Sequence, residues 1–153
     1  MQTSVTGQTK AHVSREFQKK LLVLAAAGGA AFWITDFLLS VSPIAVEYKA
    51  AFSITNLPVA LAAALAGGLV IALCVSYCLL RFFNRLPGKN STLKALILSL
   101  STMVFIEVTS ALGDPAHASI YLLLDTGMNV PRFLALGLVI GYVFDRQDRK
   151  VQI

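Results

Sequence analysis

The chain has few of the residues on which soluble enzymes rely. Of its 153 residues, 14% are charged, two are histidine and two are cysteine, whereas 56% are hydrophobic. That hydrophobic share is high for a soluble domain. The sequence contains no HExxH, GxSxG, Walker A or Gly-rich dinucleotide motif. We therefore expect a membrane protein without a cofactor and without a motif-defined catalytic site.

The two cysteines are too few to define a metal site. Cys74 and Cys78 are one helical turn apart inside an apolar run, and no second ligand pair of matching spacing accompanies them. We predict no metal site, and we expect both thiols to act as small, buried apolar groups.

Four long apolar runs dominate the sequence, at residues 21–46, 58–83, 93–112 and 117–144. A bilayer core about 30 Å thick needs about 20 apolar residues per helix, so each run is long enough to span it. The fold class predicted is all-α, an integral membrane four-helix bundle covering residues 19–146. Polar tails precede it at residues 1–18 and follow it at 147–153. A cleaved signal peptide is the alternative for the first run, although this run is longer than a typical signal sequence.

Basic residues are confined to one predicted side of the bilayer. They flank the first run at its start, the 84–91 connection and the end of the last run, whereas Lys49 alone occupies the other two connections. The positive-inside rule then places both termini in the cytoplasm, with the protein in the cell membrane. Orientation and anionic lipid account for the net charge of +5, and no nucleic acid partner is required.

Two segments repeat each other. Residues 65–71 and 134–140 agree at all but one position, and Asp36 and Glu107 fall late in the first and third runs at nearly the same spacing. A duplicated helical hairpin would produce this pattern. Chance similarity within an apolar alphabet is the alternative.

Small residues form a stripe on the second run. They recur at a spacing of four, which lets helix backbones approach closely: Ala60, Ala64, Gly68 and Ala72, beside Gly67. Gly28 and Gly29 offer a counterpart in the first run. The stripe predicts a helix-packing face.

Four ionisable residues lie inside the runs: Asp36, Glu107, Asp125 and Arg132. An ionisable group at the bilayer centre costs about 2.5 to 3.5 kcal/mol on insertion scales, so these groups should meet one another or face water. One arginine cannot neutralise three acids. We therefore expect at least one carboxyl to be neutral or to exchange protons.

The fourth run carries a polar stripe. Its spacing of four or three residues predicts one helical face: His117, Tyr121, Asp125, Asn129 and Arg132. Pro131 removes an amide hydrogen from this helix and predicts a kink. We predict an intramembrane polar site of Asp36, Glu107, Asp125, Asn129 and Arg132, with an outer mouth at His117 and Tyr121.

Several functions are compatible with such a site. The first hypothesis is a homo-oligomer that transports protons, cations or a small polar solute. The second is an accessory subunit that packs against a larger membrane complex through the small-residue stripe, its charges serving only assembly. A membrane enzyme acting on a lipid or a quinone with the three acids is a third. No motif in the chain identifies a family.

Overall fold

The computed structural model describes residues 3–51 and 56–151, with side chains described from residue 15 to residue 149 except at 44, 47, 48, 51–55, 120 and 121. Over that part of the chain the fold is all-helical and contains no strand. The helices are α1 (Thr3–Ser40), α2 (Ile44–Ala51), α3 (Leu57–Phe82), α4 (Ser91–Gly113), α5 (Ala118–Ile120) and α6 (Thr126–Val151). A π-helical turn, Tyr121–Asp125, joins α5 to α6.

Among the residues that the structure describes, four segments are long and apolar enough to cross a membrane. They are Arg15–Ser40, Leu57–Arg85, Ser91–Gly113 and Leu122–Arg149. Their number and order agree with the four apolar runs of the sequence. The side of the membrane on which the termini lie stays a prediction.

The first spanning helix ends earlier than its apolar run. The run was expected to continue to residue 46, but α1 stops at Ser40 and α2 is a separate short helix. The hydroxyls of Ser40 and Ser42 donate to the carbonyl oxygens of Phe37 and Leu39. Such local bonds compete with the helical ladder, and Pro43 supplies no amide hydrogen to continue it.

Asparagine caps start α3 and α4. The side-chain oxygen of Asn56 accepts from the amide of Val59, and that of Asn90 accepts from the amide of Leu93 at 2.9 Å. Each cap satisfies an amide that has no partner in the first helical turn. In the connection between the two helices, Gly88 has φ of 132°, a conformation that side chains disfavour.

The long helices form two hairpins, α1 with α3 and α4 with α6, and α1 also packs along α6. Glycines set the approach of α1 to its neighbours. A Cβ on Gly28 would lie 2.7 Å from Ile140 and 3.3 Å from Ala72, so α1, α3 and α6 meet closely at this point. Gly68 faces Phe32 of α1 in the same way.

The close approach of α4 to α6 also depends on glycine. A Cβ on Gly141 would lie 2.3 Å from the Cα of Thr92, and one on Gly137 would lie 3.0 Å from the Cα of Leu96. Sequence reasoning identified the small-residue stripe of α3 but missed this packing. The spacing of four between Gly137 and Gly141 was the available signal.

The matched segments of the sequence occupy equivalent places. Gly68 of α3 packs on its hairpin partner α1, and Gly137, its counterpart in the repeat, packs on its hairpin partner α4. The duplicated hairpin itself stays a prediction.

One half of the bundle has a largely apolar core. Phe133, Leu136 and Ile140 of α6 are almost completely buried. Phe144 stacks on Phe83 with ring centroids 5.0 Å apart. We call the end of the bundle beyond this core the terminal end, because Lys20 near the start of the first span donates there to Asp148 of α6 at 2.9 Å. The opposite end, which carries α2, is the α2 end.

Two expectations about the surface of α3 need comment. Cys74 is exposed and Cys78 is half-buried, so the prediction that both thiols are buried was wrong. The reason is that α3 packs mainly through one face, on α1, and Cys74 points away from it. Gly67 is also exposed, and a Cβ there would meet nothing within 4 Å.

Candidate functional site

The structure brings together all five residues of the predicted intramembrane site. Asp36 comes from α1, Glu107 from α4, and Asn129 and Arg132 from the start of α6, while Asp125 closes the π-helical turn. Four of them are buried, with exposed fractions of 7% for Asp36, 3% for Glu107, 9% for Asn129 and 8% for Arg132. We call these five residues the polar cluster.

Arg132 links α6 to α1. Its Nη2 lies 2.5 Å from Oδ1 of Asp36, and its Nη1 donates to Oδ1 of Asn129 at 2.7 Å. A planar guanidinium presents several donors in fixed directions, so it can bind two partners at once. The ion pair with Asp36 therefore joins the two central helices.

Asn129 connects the arginine to the other two acids. Its Nδ2 donates to Oε1 of Glu107 at 2.6 Å and to Oδ1 of Asp125 at 3.2 Å, while its carbonyl oxygen accepts from Arg132. The side-chain amide of Asn129 can donate and accept hydrogen bonds at the same time. An ionised carboxyl at this position could only accept them. The result is a continuous hydrogen-bonded chain from α1 through α6 to α4.

Glu107 has one oxygen outside this chain of bonds. Its Oε2 is buried and makes no hydrogen bond to any residue that the structure describes. Leaving a buried charged oxygen without a donor is costly. Glu107 is thus the cluster member with the least compensation for a negative charge.

The polar cluster lies where the backbone of the fourth span is irregular. Tyr121–Asp125 is π-helical, and Pro131 lies inside α6 and supplies no hydrogen to the carbonyl of Gly127. A π-helical turn contains more residues than an α-helical one and is frequent at functional sites. The kink predicted at Pro131 stays a prediction.

This irregular backbone changes the predicted stripe. His117 ends a 3-10 turn, so its spacing to Asp125 does not imply a shared α-helical face. The His117 ring is exposed, with Nδ1 2.9 Å from Oδ2 of Asp114. The side chain of Tyr121 lies outside the described residues. The outer mouth predicted at these two residues therefore stays untested.

A cavity of about 140 Å³ opens beside the polar cluster. Asp36 and Arg132 contribute its charged wall, and Lys49 of α2 lines it as well. The Nζ of Lys49 donates to the carbonyl oxygen of Ser40 at 3.0 Å, which ties α2 to the end of α1. The remaining lining is mainly apolar and comes largely from α3, including Leu57, Ala60, Leu61 and Ala64.

Lys49 is the site residue that sequence reasoning missed. It was recognised only as the single basic residue in the two connections predicted to lie outside. Its position was the available signal. The other basic residues of the connections and tails lie on the predicted cytoplasmic side, so a lysine on the opposite side is unusual and indicates a specific local role.

The small-residue stripe serves two purposes. Gly68 and Ala72 pack against α1, whereas Ala64 and Ala60, one and two turns nearer the start of α3, line the cavity. Short side chains at these last two positions leave the space that the cavity occupies. Gly67 belongs to neither set.

No metal-binding cluster of three His, Cys, Asp or Glu side chains occurs among the residues that the structure describes. The carboxyls of the polar cluster bind Asn129 and Arg132 instead. Comparisons with protein-family models, curated proteins and solved structures find no match. The chemistry of the site is thus the basis for assigning a function.

Proposed function

We propose that the protein is a small membrane transporter that couples the movement of a small polar solute to protons. The observation that carries the proposal is that Asp36 and Arg132 belong both to the polar cluster and to the cavity wall. A solute in the cavity would thus contact the groups whose charge depends on the rest of the cluster.

The charge balance of the polar cluster supports proton coupling. Three carboxyls share one guanidinium, in surroundings where each uncompensated charge is expensive. A proton on one carboxyl brings the cluster closer to neutrality. The chain of bonds from Glu107 through Asn129 to Arg132 then conveys a change in protonation to the cavity wall.

The packing of the bundle indicates to which side of the membrane the cavity opens. The cavity lies at the α2 end, and the apolar core around Phe133, Leu136 and Ile140 separates it from the terminal end. The positive-inside rule places the α2 end outside. The conformation described would then be open to the outside and closed to the cytoplasm.

Four helices enclose little space by themselves, and we retain the homo-oligomer as part of the proposal. In such an oligomer each chain would contact lipid and further copies of itself. The alternative, an accessory subunit held by the small-residue stripe, has less support. Gly68 and Ala72 already pack within the chain, and Ala60 and Ala64 line the cavity, so these residues are not left over for a partner.

Flux measurements in proteoliposomes test the proposal. The protein is reconstituted with a pH-sensitive dye inside the vesicles, and gradients of monovalent cations, small organic anions and neutral polar solutes are imposed one at a time. We expect one solute class to drive proton movement. Arg132→Ala and Asp125→Asn should reduce it about tenfold or more, because each change removes a charge from the buried cluster.

Arg85→Ala is the matched control for Arg132→Ala. Arg85 is an exposed arginine between α3 and α4, far along the chain from the polar cluster. Its removal should leave flux unchanged. Absence of solute-driven proton movement for every class in the panel would contradict transport. Recovery of the chain only in a larger membrane complex would favour the accessory subunit.

A further inference from the structure

The chemical lining of the cavity identifies a class of solute. We infer that the cavity binds a short-chain monocarboxylate, with its carboxylate between Lys49 and Arg132 and its carbon chain against α3. The inference rests on the proposed transport function and specifies the substrate of that same site.

The charges on the cavity wall favour an anion. Among the described lining residues, Lys49 and Arg132 are cations and Asp36 is the only acid, which leaves an excess of one positive charge. Glu107 and Asp125 do not line the cavity and contact Arg132 through Asn129. A monoanion in the cavity therefore contacts two cations on the wall, whereas Glu107 and Asp125, the further acids of the polar cluster, do not line it.

Both cations can bind the carboxylate of a solute. Lys49 can add it to its present hydrogen bond, and Arg132 can exchange Asp36 for it. The ammonium of Lys49 has three hydrogens, so its bond to Ser40 does not exhaust it. Arg132 is engaged by Asp36. A proton from outside water that binds the Asp36 carboxylate would neutralise it, and the incoming carboxylate would then take its place beside the guanidinium.

This exchange conserves charge. One proton and one monoanion enter together, and the sum of charges in the buried site does not change. Neutral entry matters in a membrane, where an additional buried charge is costly. Coupling to a proton thus follows from the ion pair that already occupies the site.

The groups that face Asp36 come from every neighbouring element. Arg132 of α6 contacts it directly, Lys49 of α2 shares the cavity, and Glu107 of α4 and Asp125 connect to it through Asn129 and Arg132. The cavity-lining residues of α3 carry no titratable group. Among the described residues, Asp36 is the only carboxyl that lines the cavity, so a proton in the cavity can reach it directly.

Size and apolar surface specify the body of the solute. A cavity of about 140 Å³ has room for a small organic acid of two to four carbons. Leu57, Leu61 and Met128 offer that carbon chain apolar contacts. A chloride ion would leave this surface unused.

Trp33 provides a binding assay that does not depend on flux. It is the only tryptophan in the chain, and its indole Nε1 donates to the carbonyl oxygen of Leu61, a lining residue, at 3.1 Å. The fluorescence of the purified, detergent-solubilised protein should report occupancy of the cavity. Titrations use acetate, propionate, butyrate, chloride and ethylammonium at about pH 5.5 and pH 7.5.

Propionate should bind, and more tightly at the lower pH by about tenfold, since Asp36 must take up a proton. Asp36→Asn should remove the pH dependence while retaining binding. Lys49→Gln should weaken propionate about tenfold or more by removing one of the two cations that hold it. Lys89→Gln, at an exposed lysine in the connection before α4, is the matched control and should have no effect.

Ala64→Leu fills the cavity without altering a charge and should abolish binding, which keeps the test valid if a charge variant fails to fold. Binding of ethylammonium in place of propionate, or of chloride as tightly as propionate, would overturn the inference. Propionate binding without flux would refute transport and leave the carboxylate site standing. Proton flux driven by cations alone would refute the carboxylate site and leave transport standing.

Discussion

The two halves of the fourth span use opposite strategies for stability. From Asp125 to Arg132 the span follows a π-helical turn and contains Pro131. Apart from Met128 its buried side chains are polar, and Asn129 and Arg132 bond to α4 and α1. From Phe133 to Phe144 the helix is regular, and its buried side chains are apolar or absent, as at Gly141. We call these the polar half and the packed half.

The difference shows how a small, largely apolar helical bundle accommodates buried charge. In the packed half, stability is spread over many weak apolar contacts and close backbone approach. In the polar half, the ion pair of Arg132 with Asp36 and the amide of Asn129 connect the buried polar groups. Removing one polar side chain should therefore cost more than removing one apolar side chain of similar size.

The largest effect is expected for Arg132→Met, which removes the cation and leaves its acids buried. The loss should be about 3 to 5 kcal/mol of unfolding free energy, the range for breaking one partner of a buried pair. The measurement is denaturation in mixed micelles with increasing SDS. Adding Asp36→Asn should recover part of the loss, because the stranded acid is then neutral.

Arg85→Met is the control for that experiment, since Arg85 is exposed. A loss for Arg132→Met of about 1 kcal/mol or less, the size expected for a solvent-exposed pair, would mean that the polar half contains enough water to screen its charges.

The second largest effect should come from Gly141→Ala in the packed half. The added methyl group would lie 2.3 Å from the Cα of Thr92, so α4 and α6 must move apart. We expect a loss of about 1 to 3 kcal/mol, typical of overpacking, and a lower thermal unfolding temperature in detergent. Gly67→Ala is the matched control, and with open space around it this change should be neutral or stabilising.

If Gly67→Ala and Gly141→Ala behave alike, the contact between α4 and α6 is looser than described. Close helix packing would then no longer distinguish the packed half from the polar half.

A smaller effect is expected for Asn129→Leu, which removes the amide bridge and keeps the volume. Nδ2 no longer donates to Glu107 and Asp125, and Arg132 loses one acceptor. The bond to Glu107 joins two helices, and such bonds average about 0.6 kcal/mol in membrane proteins. The bonds to Asp125 and Arg132 lie within the fourth span, so we expect a total loss of about 1 kcal/mol in the SDS assay. An unchanged unfolding curve would show that the three acids and the arginine do not depend on this bridge.

The smallest effect should be that of Ser99→Ala, at the boundary between the halves. The Ser99 hydroxyl is fully buried and donates to the carbonyl oxygen of Phe133 at 2.5 Å. Its loss should cost about 0.6 kcal/mol, the average for such a bond in a membrane protein. Ser101→Ala, an exposed serine on the same helix, should cost less. Equal effects would indicate that the Ser99 bond adds no net stability.

The four long helices could be predicted from the sequence because length and apolar composition decide them. That the polar cluster forms could also be expected from the sequence, since Asp36, Glu107, Asp125 and Arg132 are too costly to face lipid separately. Their pairing could not. Whether Arg132 meets Asp36 or another acid depends on the rotation of α1 against α6, which hydropathy does not record.

The backbone of the fourth span shows a second limit. Spacing analysis assumes one helical period from His117 to Arg132, but 3-10 and π-helical turns change that period before α6 begins. The cavity was equally hidden, because it requires Lys49 of α2 to return beside Arg132. Residues far apart in the chain meet there, and no local sequence pattern predicts such long-range contacts.

The central claim is that the polar half opens to the outside while the packed half seals the other side. Labelling by a membrane-impermeant thiol reagent tests it most directly, in a background with Cys74→Ala and Cys78→Ala. In sealed vesicles of known orientation, a cysteine introduced at Ala60 in the cavity wall should react from outside, and one at Lys89 should react only from inside. A cysteine at Leu136, which is fully buried, should react from neither side. Labelling of the Ala60 position only from inside, or of the Leu136 position from either side, would contradict the account.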